Sequence, residues 1–317
     1  MSQPTSVTPR GRGAQLATAG ARDATSSIFT PPPHDDRRAD AVFRALLYLG
    51  LTVALTGLAS IIIWALVVGG PRVNLALLTA GPSTIDPGSA GYRTAILGTI
   101  YVIGGVVVLI LPLGVGSAIY MEEYADRSKW WNRVIDVNIQ NLAGVPSIVF
   151  GILGLAFIVR GPLSLGFVAA AGSLTLALLV LPTIILSSRE AIRAVPPSIR
   201  DGSLALGATQ WQTIRRQVLP AARPGILTGL ILSVARAIGE AAPLLLVGAT
   251  VFVTFDPRFF SDGYSTLPVM IFNYASRPQE EFRLLAAAGV IVMLGLVLVM
   301  NSFAVWLRNR YEQQLSS

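Results

Sequence analysis

Apolar residues fall into six long blocks separated by polar stretches, at roughly Ala45 to Val68, Thr94 to Ile119, Ile139 to Val159, Leu165 to Ser187, Gly225 to Val247 and Leu284 to Leu307. Each is close to the ~20 residues needed to cross the hydrocarbon of a bilayer. Lipid offers the backbone no hydrogen-bond partner, so each block predicts a helix. The expected fold class is an all-α membrane protein with six transmembrane helices. Residues 1–40 lack any apolar run, are rich in Ser, Thr, Pro, Gly and Arg, and contain Pro31-Pro32-Pro33. That composition predicts a disordered tail, followed by a membrane domain over 41–317 with a polar loop at 188–224. The tail has no apolar core like that of a cleavable signal peptide, so the first span is expected to act as the insertion signal and remain.

Composition supports the membrane reading and closes off several chemistries. Hydrophobic residues make up 53% of the 317 and charged residues 13%, too apolar a balance for a soluble domain. The net charge of +7 does not point to nucleic acid, because the arginines lie between apolar blocks and are not clustered with exposed aromatics. Cysteine is absent, which removes disulfides, thiolate nucleophiles and sulfur metal sites. His34 is the single histidine, in the Pro-rich tail. A phosphate-binding P-loop needs Gly-Lys followed by Ser or Thr, and the single lysine, Lys129, stands between Ser128 and Trp130. The chain therefore carries no P-loop ATPase of its own.

Basic residues also set an expected orientation. With the tail inside, seventeen of the 24 Lys and Arg lie on the inner side and six on the outer, with Arg236 inside a span. The positive-inside rule then puts both termini in the cytoplasm of a multi-pass cell-membrane protein. Trp130-Trp131 read as an interfacial anchor. The outer stretch from about Gly248 to Arg283 mixes aromatics, Pro and charge. It reads either as a partly ordered cap that receives an external partner or as a plain connector.

Two places carry candidate chemistry. Ser198 to Pro220, SIRDGSLALGATQWQTIRRQVLP, lies on the inner side between the fourth and fifth spans. It predicts a short amphipathic helix, a break at Gly207 and a second helix ending at Leu219-Pro220, with the turn exposed as a knob. Docking on a partner is one reading. An amphipathic segment lying on anionic lipid through Arg215, Arg216 and Trp211 is the other. In the fifth span, Arg236 and Glu240 are four residues apart and so share a helix face. An arginine near mid-membrane costs about 2.5–3.5 kcal/mol on insertion scales, so it should face protein or a water-filled cavity. Its planar fork of donors suits an oxyanion, with Glu240 holding it and limiting how tightly the anion binds. In the plainer reading the two charges only neutralise each other. Pro243 suggests a kink beside them.

The loop resembles the EAA loop of ABC-importer permeases. Asp201-Gly202-Ser203 stand where that family has Glu-Ala-Ala, Gly207 and Leu219-Pro220 fall at its spacing, and Gln217 replaces its usual aliphatic residue. From Thr94 onward, MEEYADRSKWWNRVIDVNIQNLAGVPSIVFGILGLAFIV, PAARPGILTGLILSVARAIGE and ARAIGEAAPLLLVGA resemble the PstA-type permease of phosphate ABC importers. The resemblance implies a type I ABC importer permease fold and a transport subunit that is not itself an enzyme. It implies a second related permease (PstC-type), two ATPase subunits (PstB-type) that bind the ATP, and an external phosphate-binding protein (PstS-type). No cofactor is implied in this chain. It places Asp201, Gly202, Ser203, Gly207, Leu219 and Pro220 in the ATPase-coupling element, and Arg236 and Glu240 on the path of inorganic phosphate. A permease for sulfate, molybdate or phosphonate, or an ATP-independent anion carrier, is the alternative function.

Overall fold

The computed structural model describes residues 37–83, 85–126, 128–249 and 253–316. Most of the expected disordered tail, with His34, lies outside the described residues, and the rest of it begins the first helix. That helix, α1 (Arg37–Gly69), spans the first apolar block. Its residues up to Ile61 form a unit by themselves, with Leu46, Leu47, Leu51, Val53 and Leu55 all exposed.

The unit from Ile62 onward is built around one helix. α2 (Leu75–Thr79) is a short turn, and α3 (Arg93–Ile119) is extended by a π turn over Tyr120–Tyr124. α4 (Trp130–Ala143) and α5 (Ser147–Leu153) follow, the latter continued by a π turn over Gly154–Val159. α6 (Ala169–Arg193) is the central element, packed on α3 and α4 and, farther along the chain, on α9 (Leu219–Gly239). In its most apolar stretch 72% of residues are buried, against 33% in the span built on α3. Its sequence explains why: Ala169-Ala170-Ala171-Gly172-Ser173 presents small side chains that let neighbouring backbones come close. Ser173 Oγ lies 3.0 Å from Val102 O of α3 and 2.9 Å from Ala169 O, so its hydroxyl is satisfied between the helices.

Two apolar blocks are not single straight helices, the fifth breaking beside the Arg236–Glu240 pair, where Pro243 suggests a kink. The third is a bent pair, α4 and α5, turned by 108° at Gly144-Val145-Pro146. Proline at 146 has no N–H, its ring would strike the carbonyl four residues back, and Val145 before it is pushed out of helical dihedrals. The fifth block begins six residues earlier than expected and is broken inside: α9 stops at Gly239, Glu240 is extended (φ −81°, ψ 114°), and α10 (Ala242–Leu246) restarts. Pro243 sits in the first turn of α10, where its missing N–H costs nothing. Among the described residues, counting each bent or broken element once gives five single helices and one bent pair able to span.

The stretch after α10 is ordered where described. α11 (Leu267–Ala275) leads to α12 (Glu280–Ser316). Phe259 O accepts from Ala170 N–H at 3.0 Å at the start of α6, Leu267 N–H donates to Thr99 Oγ1 at 2.9 Å, and Tyr264 is fully buried. This segment is therefore inserted into the end of the bundle. Its closest approach is at Gly98 of α3, where a Cβ would lie 1.9 Å from the backbone oxygen of Ser265. Gly98→Ala should therefore destabilise the protein by about 1–3 kcal/mol. Gly104→Ala on the same helix, with nothing within 4 Å of its Cβ position, should not. Thermal unfolding of the two variants in detergent checks the contrast.

Candidate functional site

The polar loop folds as helix, turn, helix. α7 (Pro197–Ala205) carries Asp201, Gly202 and Ser203, and Gly207 follows at φ +83°, a left-handed conformation that glycine adopts without strain. α8 (Gln210–Thr213) starts from a capping box, with Thr209 accepting from Gln212 N–H while the Gln212 side chain accepts from Thr209 N–H. The tip is a knob: Leu206 is 91% exposed, Leu204, Trp211 and Asp201 are exposed, and Ser203 Oγ lies 2.9 Å from Thr213 Oγ1. A cavity of about 450 Å³ opens between its limbs, lined by Ile199, Ser203, Leu206, Gln212 and Arg216 among others.

One expectation about the loop needs correcting. Leu219-Pro220 does not end the second helix. α8 passes through a π turn over Ile214–Val218 directly into α9, with Pro220 in its first turn. The π turn supplies the register shift that a proline inside a continuous helix requires. The knob is thus joined rigidly to α9.

Beneath the knob lies an ion cluster built from residues far apart in the chain. Arg189 of α6, only 7% exposed, donates from Nε to Glu122 Oε1 at 2.9 Å and from Nη1 to Asp136 Oδ1 of α4. Arg193 Nη2 reaches the same Glu122 oxygen at 2.8 Å. Next along the π turn, Glu123 accepts from Arg200 Nε at 3.0 Å and Nη2 at 2.8 Å, and its backbone oxygen accepts from Gln210 Nε2 at 2.5 Å. Arg200 also donates to Val195 O in the link after α6 and to Ile192 O in its last turn, at 2.7 and 2.8 Å. A signal was present in the adjacent acids of MEEYADR and the arginines of SREAIR and SIRDG, but only the folded chain joins them. In the linker after the π turn, hydrogen bonds from Ser128 hold Asp126 below the usual carboxylate range.

The Arg236–Glu240 pair is of another kind. Arg236 is in the last turn of α9, about 25 Å along that helix from Leu219 at 1.5 Å per residue, and Glu240 is at the break. The two do meet, with Nε to Oε1 at 3.7 Å. That is beyond the ~2.7–2.9 Å of a charge-assisted hydrogen bond, and the Arg236 side chain is 44% exposed. Among the described residues no hydrogen bond within normal distance is made by its guanidinium. A larger cavity, about 780 Å³ between α3 and α9, does not include the pair. Its walls are mostly apolar, with Arg215 and Arg223 among the residues lining it.

Residues 110–313 match the family described as binding-protein-dependent transport system inner membrane component. The chain belongs to that family. This transport component is 35% identical over 223 residues to the phosphate transport system permease protein PstA 1 of Mycobacterium tuberculosis, covering 69% of this chain and 71% of the relative. It is 34% identical over 269 residues to the phosphate transport system permease protein PstA of Yersinia pestis (82% and 88%) and 33% over 279 residues to the probable ABC transporter permease protein YqgH of Bacillus subtilis (84% and 86%). Among solved structures, a bacterial alginate ABC transporter superposes with a TM-score of 0.59 at 15% identity (86% and 96%), and the MetNI methionine ABC transporter with 0.54 at 17% (68% and 91%). The fold is that of a type I ABC importer permease, and this transport component is a multi-pass membrane protein.

The buried arginine gives a stability test for the permease. Arg189→Met removes a buried donor from Glu122, which keeps Arg193, and from Asp136, and should cost about 1–3 kcal/mol. Arg193→Met, on a side chain 46% exposed, should cost under about 1 kcal/mol. The unfolding midpoint in detergent should be lower for Arg189→Met than for Arg193→Met.

Proposed function

We propose that this chain is the permease subunit of an ATP-driven phosphate importer. The reading rests on the relatives named phosphate transport system permease proteins and on one observation above all: an arginine at a helix break, loosely paired at 3.7 Å and partly open. A guanidinium matches phosphate oxygens bidentately. An intramembrane ion that is not fully satisfied by protein marks a substrate path. Glu240 keeps Arg236 from holding the anion too strongly, because an anion bound tightly would not leave the path.

In this reading both termini and the knob are cytoplasmic. ATP is bound and hydrolysed by two PstB-type ATPase subunits, a PstC-type permease forms the other half of the pathway, and a PstS-type binding protein delivers phosphate from outside. The exposed Leu204, Leu206 and Trp211, with Asp201 beside them, form a small apolar patch with an acidic edge suited to a groove on the ATPase. Because α8 runs unbroken into α9, a shift of the knob reaches the Arg236 end along one stiff element.

Arg236→Ala should insert normally yet lower phosphate uptake by about tenfold or more, the loss that goes with roughly 1.4 kcal/mol of anion binding. Wild-type uptake in that variant would remove Arg236 from the path. Asp201→Lys should weaken co-purification of the ATPase by about tenfold, and unchanged co-purification would mean that the knob docks elsewhere.

A further inference from the structure

Three membrane-embedded elements pack together beneath the knob, and they are connected to it differently. α6 is joined to α7 through the short link Ala194–Pro196, and α9 is the direct continuation of α8. α3, which packs along α6, is separated from the knob in the chain by α4, α5 and α6. Among the described residues, its polar ties to the knob run through Glu123. The side chain of Glu123 takes two N–H donors from Arg200 on α7, and its backbone oxygen takes one from Gln210 on α8, so both limbs hold the same residue. The Ser203–Thr213 contact ties the limbs to each other. The π turn over Tyr120–Tyr124 makes this possible. It directs Glu122 to Arg189 and Arg193 at the end of α6, while the adjacent Glu123 meets the knob.

We infer that Glu123 and Arg200 are positioning residues that transmit motion of the knob to α3, so that α3 moves with α6 and α9 when the knob is displaced. The inference rests on the ATP-driven reading above. The Glu123 side chain is 9% exposed and that of Arg200 22%, so solvent does little to weaken the link. Arg200 also holds the Val195 and Ile192 carbonyls. Displacing it therefore disturbs the α6 terminus and the α3 terminus together. This is a discrete contact shared by three elements, the kind of junction through which coupling passes.

The test uses the complete transporter, reconstituted with its ATPase, partner permease and binding protein, and reads two quantities at once: ATP hydrolysed and labelled phosphate taken up. Glu123→Gln and Arg200→Gln should leave hydrolysis largely in place while phosphate carried per ATP falls by about fivefold or more, the range of a typical coupling free energy. The charge-exchanged double variant Glu123→Arg with Arg200→Glu should recover at least part of that ratio. Arg200→Lys, which keeps one charged donor, should lose less than Arg200→Gln. A merely structural role would lower hydrolysis and uptake together, or lower the amount of assembled complex, and would overturn the inference. An unchanged ratio in both Gln variants, with wild-type uptake ATP-driven, would overturn it while leaving the importer reading intact. Absence of ATP-driven uptake in the unsubstituted transporter would remove the importer reading and the inference with it.

Discussion

Taking a guanidinium out of water costs several kcal/mol unless carboxylates and carbonyls replace the lost hydration, and the functional half of this protein is organised by how that cost is met. At one end of the bundle it is met fully. Arg189 is buried against Glu122 and Asp136, and Arg200 spends its donors on Glu123 and two backbone carbonyls. These contacts fix the ends of α3 and α6, the middle of α4 and the start of the knob relative to one another. At the break in α9 it is met only in part, since Glu240 stands 3.7 Å from Arg236. The same residue type is a fastener in one place and an open binding group in the other, and burial with bond length separates the two roles.

Interruptions of helix matter as much as the helices. In apolar surroundings an irregular backbone persists where protein or a water-lined cavity satisfies it. The breaks at Gly144 to Pro146 and at Glu240 sit together: α5, just past the first, packs on α10, just past the second. α9 thus ends where a charged pair needs room, and α10 is held by a neighbour that is itself displaced by a proline bend. The π turns have a different use. Over Ile214–Val218 one carries the helix through Pro220 without a stop, which keeps knob and span as one body.

Much of this was legible in the order of residues. The six apolar blocks give the spanning elements because membrane hydrophobicity is a property of local sequence, and Gly207 with its flanking helices gives the knob because φ +83° is a local demand. The i, i+4 spacing of Arg236 and Glu240 gave their meeting, though the meeting occurs across a helix end and not along a regular turn. What could not be read was of two kinds. Leu219-Pro220 looked like a stop because local rules favour one, and the π turn that overrides it is supported by packing of Ile214, Val218 and Ala222. The ion cluster pairs charges far apart in the chain, such as Glu123 and Arg200, 77 residues apart. Its acids and bases look like ordinary interfacial charge until the chain folds.

The central claim is that a loosely held intramembrane arginine passes phosphate under control of a docked ATPase. It is tested most directly by ATP-dependent uptake of labelled phosphate into liposomes that hold this chain with its partner permease, ATPase and binding protein, with sulfate and molybdate as competitors. The account predicts uptake that requires ATP and resists both competitors. Uptake of a different oxyanion would contradict the substrate, and phosphate uptake that proceeds without ATP would contradict the mechanism.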